Sequence, residues 1–114
     1  MQYTSTVAKR FKSVYFILND RAGAVKIGNA MRPVSRMREL QTASPDTLEL
    51  LLVLSPQPYQ RNADWFAEGK EDALHLKFKK YHIRGEWFEF SEEIRDFVTL
   101  EHIKQTCGKA GIVG

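Results

Sequence analysis

Residues 14–28, VYFILNDRAGAVKIG, decide the fold of this chain. The first five are β-branched, aromatic or aliphatic, which is typical of a buried strand. The NDRAG cluster at residues 19–23 indicates a turn, because Asn and Asp tolerate the left-handed backbone region and Gly enters it without steric cost. Residues 24–27, AVKI, predict a second strand, which Gly28 ends. The whole stretch therefore predicts a β-hairpin.

After this hairpin, the spacing of the apolar residues changes to that of a helix. Between residues 32 and 43, Val34, Met37 and Leu40 fall three apart, as on one side of a helix. Pro33 stands where the first turn of a helix accepts proline. We therefore expect the first helix over residues 32–43.

The rest of the chain continues this alternation. Residues 48–54 predict a third strand, apolar on both faces and therefore expected at the centre of the sheet. A long helix follows over about 62–81, with Gly69 as a candidate break. A short extended piece over 83–88 precedes a last helix capped by Ser91. The order β-β-α-β-α-β-α predicts an α+β domain with a small, largely antiparallel sheet flanked by helices.

Composition sets the class of protein. The 114 residues are 43% hydrophobic and 27% charged, which is ordinary for one globular domain and excludes a disordered or fibrous chain. No apolar run approaches the roughly 20 residues of a membrane-spanning helix. A single cysteine, Cys107, excludes a disulfide framework and favours a reducing, cytoplasmic compartment. We expect a flexible arm over residues 1–12, a domain over 13–105 and a flexible tail over 106–114.

Positive charge is concentrated in two stretches of a chain whose net charge is +3. The residues concerned are Arg32, Arg36 and Arg38 in the first, and Lys77, Lys79, Lys80 and Arg84 in the second. They either lie on solvated helix faces or contact a nucleic-acid backbone, which would position the nucleic acid without reading its sequence.

Two polar residues of the hairpin are candidates for chemistry. A hairpin centred between Asp20 and Arg21 sets Tyr15 opposite Lys26 on one face, whereas a centre half a step later sends Lys26 to the other face. An ammonium beside a tyrosine lowers the pKa of the phenol. The alternative is a core tyrosine and an edge lysine that keeps its charge in water.

Further candidates lie outside the hairpin. Arg36 borders the apolar stripe of its helix and can present a planar donor to a phosphate. Glu86 stands in a dense aromatic segment, where its carboxylate either points to water or binds a hard cation. Glu71 and His75 are one helical turn apart, either near a metal or as an ordinary surface pair. Together these residue types are compatible with a single-metal phosphodiesterase site.

The order of the motifs resembles the GIY-YIG nuclease superfamily. Ser13-Val14-Tyr15, Lys26-Ile27-Gly28, Arg36 and Arg84-Gly85-Glu86-Trp87-Phe88 are similar to a short phage- and prophage-associated branch, which has a K-I-G second motif and an R-x-G-E-W-F segment. The resemblance covers about residues 13–98. It implies a three-stranded antiparallel sheet flanked by helices and cleavage of phosphodiester bonds with Mg²⁺ or Mn²⁺.

The resemblance also implies a role for each matching residue. Tyr15 would orient or deprotonate the attacking water, and Lys26, in place of the second motif's tyrosine, would assist it. Arg36 would neutralise the scissile phosphate, and Glu86 would hold the metal. Many members carry a histidine where this chain has Leu40, and His75 is the candidate that compensates for it.

We therefore predict a metal-dependent endonuclease that acts on DNA, or on RNA. Two alternatives stay open. One is a non-catalytic nucleic-acid-binding or adaptor module on the same scaffold. The other is a protein-interaction domain that uses Trp65 and Phe66.

Overall fold

The computed structural model describes residues 11–57 and 63–113 of the chain, and side chains as far as Cys107. The elements are β1 (Ser13–Asn19), β2 (Ala24–Ala30), α1 (Pro33–Ala43), β3 (Leu48–Leu54), a 3-10 turn (Ala63–Trp65), α2 (Phe66–Lys77), a second 3-10 turn (Lys79–Tyr81), β4 (His82–Arg84), β5 (Trp87–Glu89) and α3 (Glu92–Val113). The α+β class and the hairpin are confirmed. The predicted arm lies outside the described residues as far as residue 10.

The predicted hairpin has a register that differs from both expected ones. Tyr15 faces Gly28, and Lys26 faces Ile17. The hairpin is therefore centred between Arg21 and Ala22, one full residue later than the first expectation. Because a whole-residue shift preserves the alternation of faces, Lys26 still lies on the same face of the sheet as Tyr15, in a diagonal position.

The sheet has five antiparallel strands in the order β3-β1-β2-β5-β4, so the expectation of three strands is wrong. The two additional strands come from residues 82–89, where the sequence predicts one extended piece. Gly85 adopts a φ of 54°, a left-handed conformation that glycine reaches without strain, and it turns the chain back on itself. This tight turn presents Glu86 at the tip of a hairpin.

Strand β3 lies at the edge of the sheet, so its expected central position is also wrong. Both of its faces are covered, by α1 on one side and by α3 on the other, which explains why it is apolar except at the exposed Glu49. Its outer edge is covered as well. His102 and Gln105 of α3 donate to the carbonyl groups of Leu51 and Val53. Side chains of α3 thereby form hydrogen bonds with edge carbonyl groups that a neighbouring strand would otherwise use.

Alternation along β1 and β2 separates the core into two layers. The α1 face of the sheet is built from Tyr15, Ile17, Ala30 and Leu48, against Met37 and Leu40 of α1. The α2–α3 face is built from Val14, Phe16, Val25, Ile27, Leu52, Leu54 and Phe88, against Ala67, Leu74, Phe78, Ile94 and Val98. The helices thus pack on both faces of the sheet and bury β1 and β2 between them.

The helix boundaries follow local signals with two differences. Pro33 lies in the first turn of α1, and the Ser91 hydroxyl accepts from the Ile94 amide at the start of α3, as predicted. Gly69 lies within an unbroken α2, and the helix instead ends at Lys77. Helix α3 extends to Val113, past residue 105, where the sequence places the end of the domain. Within the described ranges, no helix combines the length and apolarity that membrane crossing requires.

Candidate active site

The candidate site lies at the edge of β2 where β5 ends. Within the described residues, β5 pairs with β2 only from Ala24 to Lys26. At the next residue, the amide of Ile27 donates to the Glu86 carbonyl at 2.9 Å. The carbonyl of Ile27 accepts from His75 Nε2 of α2 at 2.8 Å. The β4–β5 turn and α2 are therefore both fixed to the same residue of the second motif.

Gly28 is the point on which two predicted site residues converge. A Cβ atom placed there would stand 2.6 Å from the Tyr15 hydroxyl oxygen and 2.7 Å from Glu86 Oε1. Both distances are far below a van der Waals contact, so only glycine allows these groups to approach β2 this closely. The phenol and the carboxylate, 71 positions apart in the chain, therefore face the same small space.

Tyr15 is completely buried, and its hydroxyl makes no hydrogen bond to the described residues. Burial raises the pKa of Tyr15, and the nearby Glu86 carboxylate raises it further. The Arg36 guanidinium opposes this rise. Tyr15 is therefore a neutral phenol at neutral pH, with an unsatisfied polar group aimed at the site.

Lys26 pairs with Glu86 rather than with Tyr15. Its Nζ lies 3.2 Å from Glu86 Oε1 and 5.7 Å from the centre of the Trp87 ring. The sequence predicts a lysine that lowers the pKa of Tyr15, but the structure has the pKa of Tyr15 raised. The reason is that the ammonium is engaged by a carboxylate, so burial of the phenol dominates.

Glu71 is a member of the site that the sequence leaves ambiguous. Its carboxylate accepts from Asn29 Nδ2 and lies 3.4 Å from His75 Nε2. The side chain is only 11% exposed, which excludes the interpretation as a surface pair. Burial raises the pKa of Glu71, and the nearby Glu86 carboxyl raises it further. Asn29 had no signal in the sequence, whereas Glu71 was marked by its spacing from His75.

Arg36 lies beside this cluster on α1. Its side chain is 44% exposed, and its Nε lies 3.3 Å from Glu39. An open groove of about 540 Å³ adjoins it, and the residues that line this groove are Lys12, Asn29, Ala30, Met31, Arg32, Ser35, Arg36 and Glu39. The groove joins the site through Asn29 and carries three basic side chains. We call it the basic groove.

The remaining basic residues are exposed but spread over other surfaces. Arg38 lies on α1 outside the basic groove. Lys80 is paired with Glu93 at 3.5 Å, and the Lys77 ammonium lies 5.7 Å from the Phe78 ring centre. Arg84 lines a separate groove beside Trp87. Lys79 is exposed in the second 3-10 turn. The structure therefore brings Arg32 and Arg36 to the site and leaves the second predicted cluster apart.

The orphaned hydroxyl of Tyr15 yields a stability prediction. We expect Tyr15→Phe to raise the free energy of unfolding by about 1–3 kcal/mol, because it removes a buried polar group that lacks a partner. Urea denaturation monitored by circular dichroism measures this change. The control is Tyr81→Phe, whose hydroxyl donates to Glu93 at 2.9 Å, so that its removal gives no gain. A Tyr15→Phe variant less stable than the wild type contradicts the prediction.

A comparison with protein families matches residues 12–108 to the T5orf172 domain. This domain is associated with phages and occurs in nuclease contexts. Its presence indicates a nuclease-like or DNA-binding module. The match spans every strand, α1, α2 and most of α3, and it includes every residue of the site. No curated protein and no solved structure gives a significant match to the chain.

Proposed function

The chain belongs to the T5orf172 domain family, and from this membership and the geometry of its site we propose a divalent-metal-dependent endonuclease of the GIY-YIG type. Its substrate is DNA, or RNA, and its site comprises Tyr15, Lys26, Arg36 and Glu86. The observation that carries the proposal is the convergence of the Tyr15 hydroxyl and the Glu86 carboxylate on Gly28.

The residues of the site fit a hard divalent cation. Among the described residues, no three His, Cys, Asp or Glu side chains form a ready metal-binding cluster. Mg²⁺ and Mn²⁺, however, often use one or two carboxylates and complete their coordination with water and phosphate oxygens. The Glu86 carboxylate and the buried Tyr15 hydroxyl, which lacks a hydrogen bond of normal geometry among the described residues, both lie against the position where Gly28 has no Cβ. Glu86 is the residue that would hold Mg²⁺ or Mn²⁺.

The bound ion would supply charge stabilisation at the leaving oxygen of the phosphodiester. The chain's own residues do the rest. The neutral Tyr15 hydroxyl holds an attacking water by a hydrogen bond and orients it. Lys26 keeps the Glu86 carboxylate in place through its ion pair. His75 fixes the Ile27 carbonyl and so holds β2 against α2, which makes it a positioning residue in this proposal.

Arg36 is the phosphate contact in this proposal. A guanidinium donates two parallel hydrogen bonds to a phosphate, and its half-exposed position leaves it accessible from the basic groove. Lys12 and Arg32 in the same groove would contact neighbouring phosphates of the strand. Binding through such contacts weakens steeply with salt and depends little on sequence.

Cleavage of supercoiled plasmid and of single-stranded DNA and RNA tests the proposal. We expect the wild type to cut at least one of these substrates in Mg²⁺ or Mn²⁺ and none of them in EDTA. Cleavage that is unchanged in EDTA contradicts the metal dependence. No cleavage of any substrate, together with retained DNA binding, would reject the nuclease in favour of the alternative below.

Arg36→Ala is expected to slow cleavage by about tenfold to a hundredfold, because a charge-assisted hydrogen bond contributes roughly 1.5–3 kcal/mol. Single-turnover rates at saturating protein measure the effect separately from affinity. Arg95→Ala is the control, since Arg95 is exposed on α3 at the opposite face of the sheet. Equal rates for the two variants would remove Arg36 from the site.

One observation favours the second candidate, a non-catalytic nucleic-acid-binding module. The Lys26 ammonium neutralises Glu86 directly, as in a purely structural ion pair. Such a module predicts salt-sensitive gel shifts with intact DNA. The protein-interaction alternative loses one of its two residues, because Phe66 packs against the core while Trp65 is 73% exposed.

A further inference from the structure

We propose that Glu71 is a second carboxylate ligand of the divalent cation at Glu86, so that α2 and the β4–β5 turn each supply one ligand. This inference rests on the proposed function, which needs only Glu86 as the metal anchor. The inference makes Glu71 a metal ligand. From the sequence, its spacing from His75 was equally compatible with an ordinary surface pair.

The placement of the two carboxyl groups carries the inference. Helix α2 packs on the α2–α3 face, whereas Glu86 approaches Gly28 on the opposite α1 face. The two side chains meet around the edge of β2, just beyond the point where β5 ends. There Glu71 accepts from Asn29, the residue after Gly28, while Glu86 Oε1 stands 2.7 Å from the Cβ position of Gly28 itself, so the two carboxyl groups reach adjacent residues of β2. Two carboxylates this close repel each other unless a cation or a proton lies between them.

Burial makes the position of Glu71 costly without a ligand. The residue is 8% exposed, in a class that is almost never buried unless paired. Its carboxylate contacts the Asn29 amide and lies 3.4 Å from His75, and neither partner carries a permanent positive charge. Lys26, the nearby ammonium, pairs with Glu86 instead. A cation between the two carboxylates would supply the missing compensation.

A second, independent group points into the same space. The Tyr15 hydroxyl is completely buried, makes no hydrogen bond of normal geometry to the described residues although the Arg36 guanidinium lies nearby, and stands beside Glu86 at Gly28. A buried hydroxyl without a hydrogen bond is rare in a folded protein. A hydrated cation held by Glu71 and Glu86 brings water molecules that would satisfy this hydroxyl.

Asn29 and His75 are positioning residues for this ligand. Asn29 directly follows Gly28 on β2 and donates to Glu71 Oε1, which orients the carboxylate. His75 donates to the Ile27 carbonyl and stands beside Glu71 Oε2. Partners of this kind fix a metal-binding carboxylate in one rotamer, and their loss commonly lowers metal affinity.

Binding of Mn²⁺ to the full chain tests the inference without relying on activity. Electron paramagnetic resonance of free Mn²⁺ measures the dissociation constant, for the protein alone and with a short phosphorothioate duplex that resists cleavage. We expect Glu71→Gln to weaken Mn²⁺ binding by at least about tenfold. Asp72→Asn is the matched control, because Asp72 is the exposed neighbour on the same helix and should bind Mn²⁺ like the wild type.

Thermal unfolding without metal separates a ligand from a structural residue. Glutamine keeps the shape of Glu71 and removes the repulsion from Glu86, so Glu71→Gln should melt no lower than the wild type. A purely structural role predicts the opposite result, a lower Tm with unchanged Mn²⁺ affinity. Glu71→Asp, which keeps the charge but withdraws it by one methylene, is a second variant and should also bind Mn²⁺ more weakly.

The outcomes distinguish this inference from the proposed function. If the wild type cleaves DNA and binds Mn²⁺ with the same affinity as Glu71→Gln, the second ligand is rejected and the nuclease stands. If the wild type neither binds Mn²⁺ in the two conditions nor cleaves, both are rejected. Failure of both Glu71 variants to fold would identify a structural residue and overturn the inference.

Discussion

Glu86→Gln is expected to lower the cleavage rate by about 10²–10³-fold, because in the proposed mechanism it removes the carboxylate that would hold the metal ion at the scissile phosphate. The loss should not come from unfolding. Glu86 contributes its backbone carbonyl to Ile27, which the substitution preserves, and its side chain is 39% exposed. The ion pair with Lys26 is correspondingly a minor contribution to stability.

Single-turnover cleavage measures the catalytic effect of Glu86→Gln, and gel shifts measure its effect on DNA binding. DNA binding should persist or tighten slightly, since a negative charge near the phosphate has been removed. Glu89→Gln is the matched control, three residues further on β5, exposed and paired with Ala24 on β2. A Glu86→Gln variant as fast as the wild type would reject Glu86 as the metal anchor. Equal gel shifts without cleavage by either protein would favour the adaptor.

Gly28→Ala is expected to have the second large effect, on cleavage and stability together. Its methyl group would stand within 2.8 Å of the hydroxyl oxygen and Cζ of Tyr15, and 2.7 Å from Glu86 Oε1. Because Tyr15 is fully buried, its ring cannot move away without disturbing the α1 face. Overpacking of this kind costs about 1–3 kcal/mol. A displacement of the two groups by about 1 Å slows catalysis by roughly 10²-fold.

The control for Gly28→Ala is Gly69→Ala. Gly69 lies inside α2 with no atom near the position of an added Cβ, so alanine there should raise stability by up to about 1 kcal/mol. The two glycine substitutions therefore have opposite expected signs in urea denaturation. A Gly28→Ala variant with wild-type stability and cleavage would show that the close approach of Tyr15 and Glu86 is unnecessary.

The candidate site was partly accessible from the sequence. The motif order selected Tyr15, Lys26, Arg36 and Glu86, and the structure brings all four to the end of β2. Which of these four side chains pair with one another could not be predicted from the sequence. Lys26 was assigned to Tyr15 through strand pairing, but the turn at Gly85 brings Glu86 within 3.2 Å of its ammonium. The pKa of Tyr15 is raised rather than lowered because the phenol is buried, and the Glu86 carboxylate adds to this rise.

The fold shows the same division between local and distant effects. The strand over residues 48–54 was confirmed in its bounds, while its place in the sheet was wrong. Its bounds follow from the apolar run itself. Its position at the edge depends on α3, whose His102 lies 51 residues from the carbonyl that it caps. An apolar strand covered by two helices has the same composition as a central strand.

By itself, the sequence determined the features that a few neighbouring residues control: the hairpin of residues 14–28, the start of α1 at Pro33 and the cap of α3 at Ser91. Only the tertiary structure decided the hairpin register, the five-stranded sheet and the burial of Glu71. Asn29 and Glu71 are 42 residues apart, and His75 and Ile27 are 48 apart. The free energy of such contacts depends on how whole layers pack, and no local pattern encodes that packing.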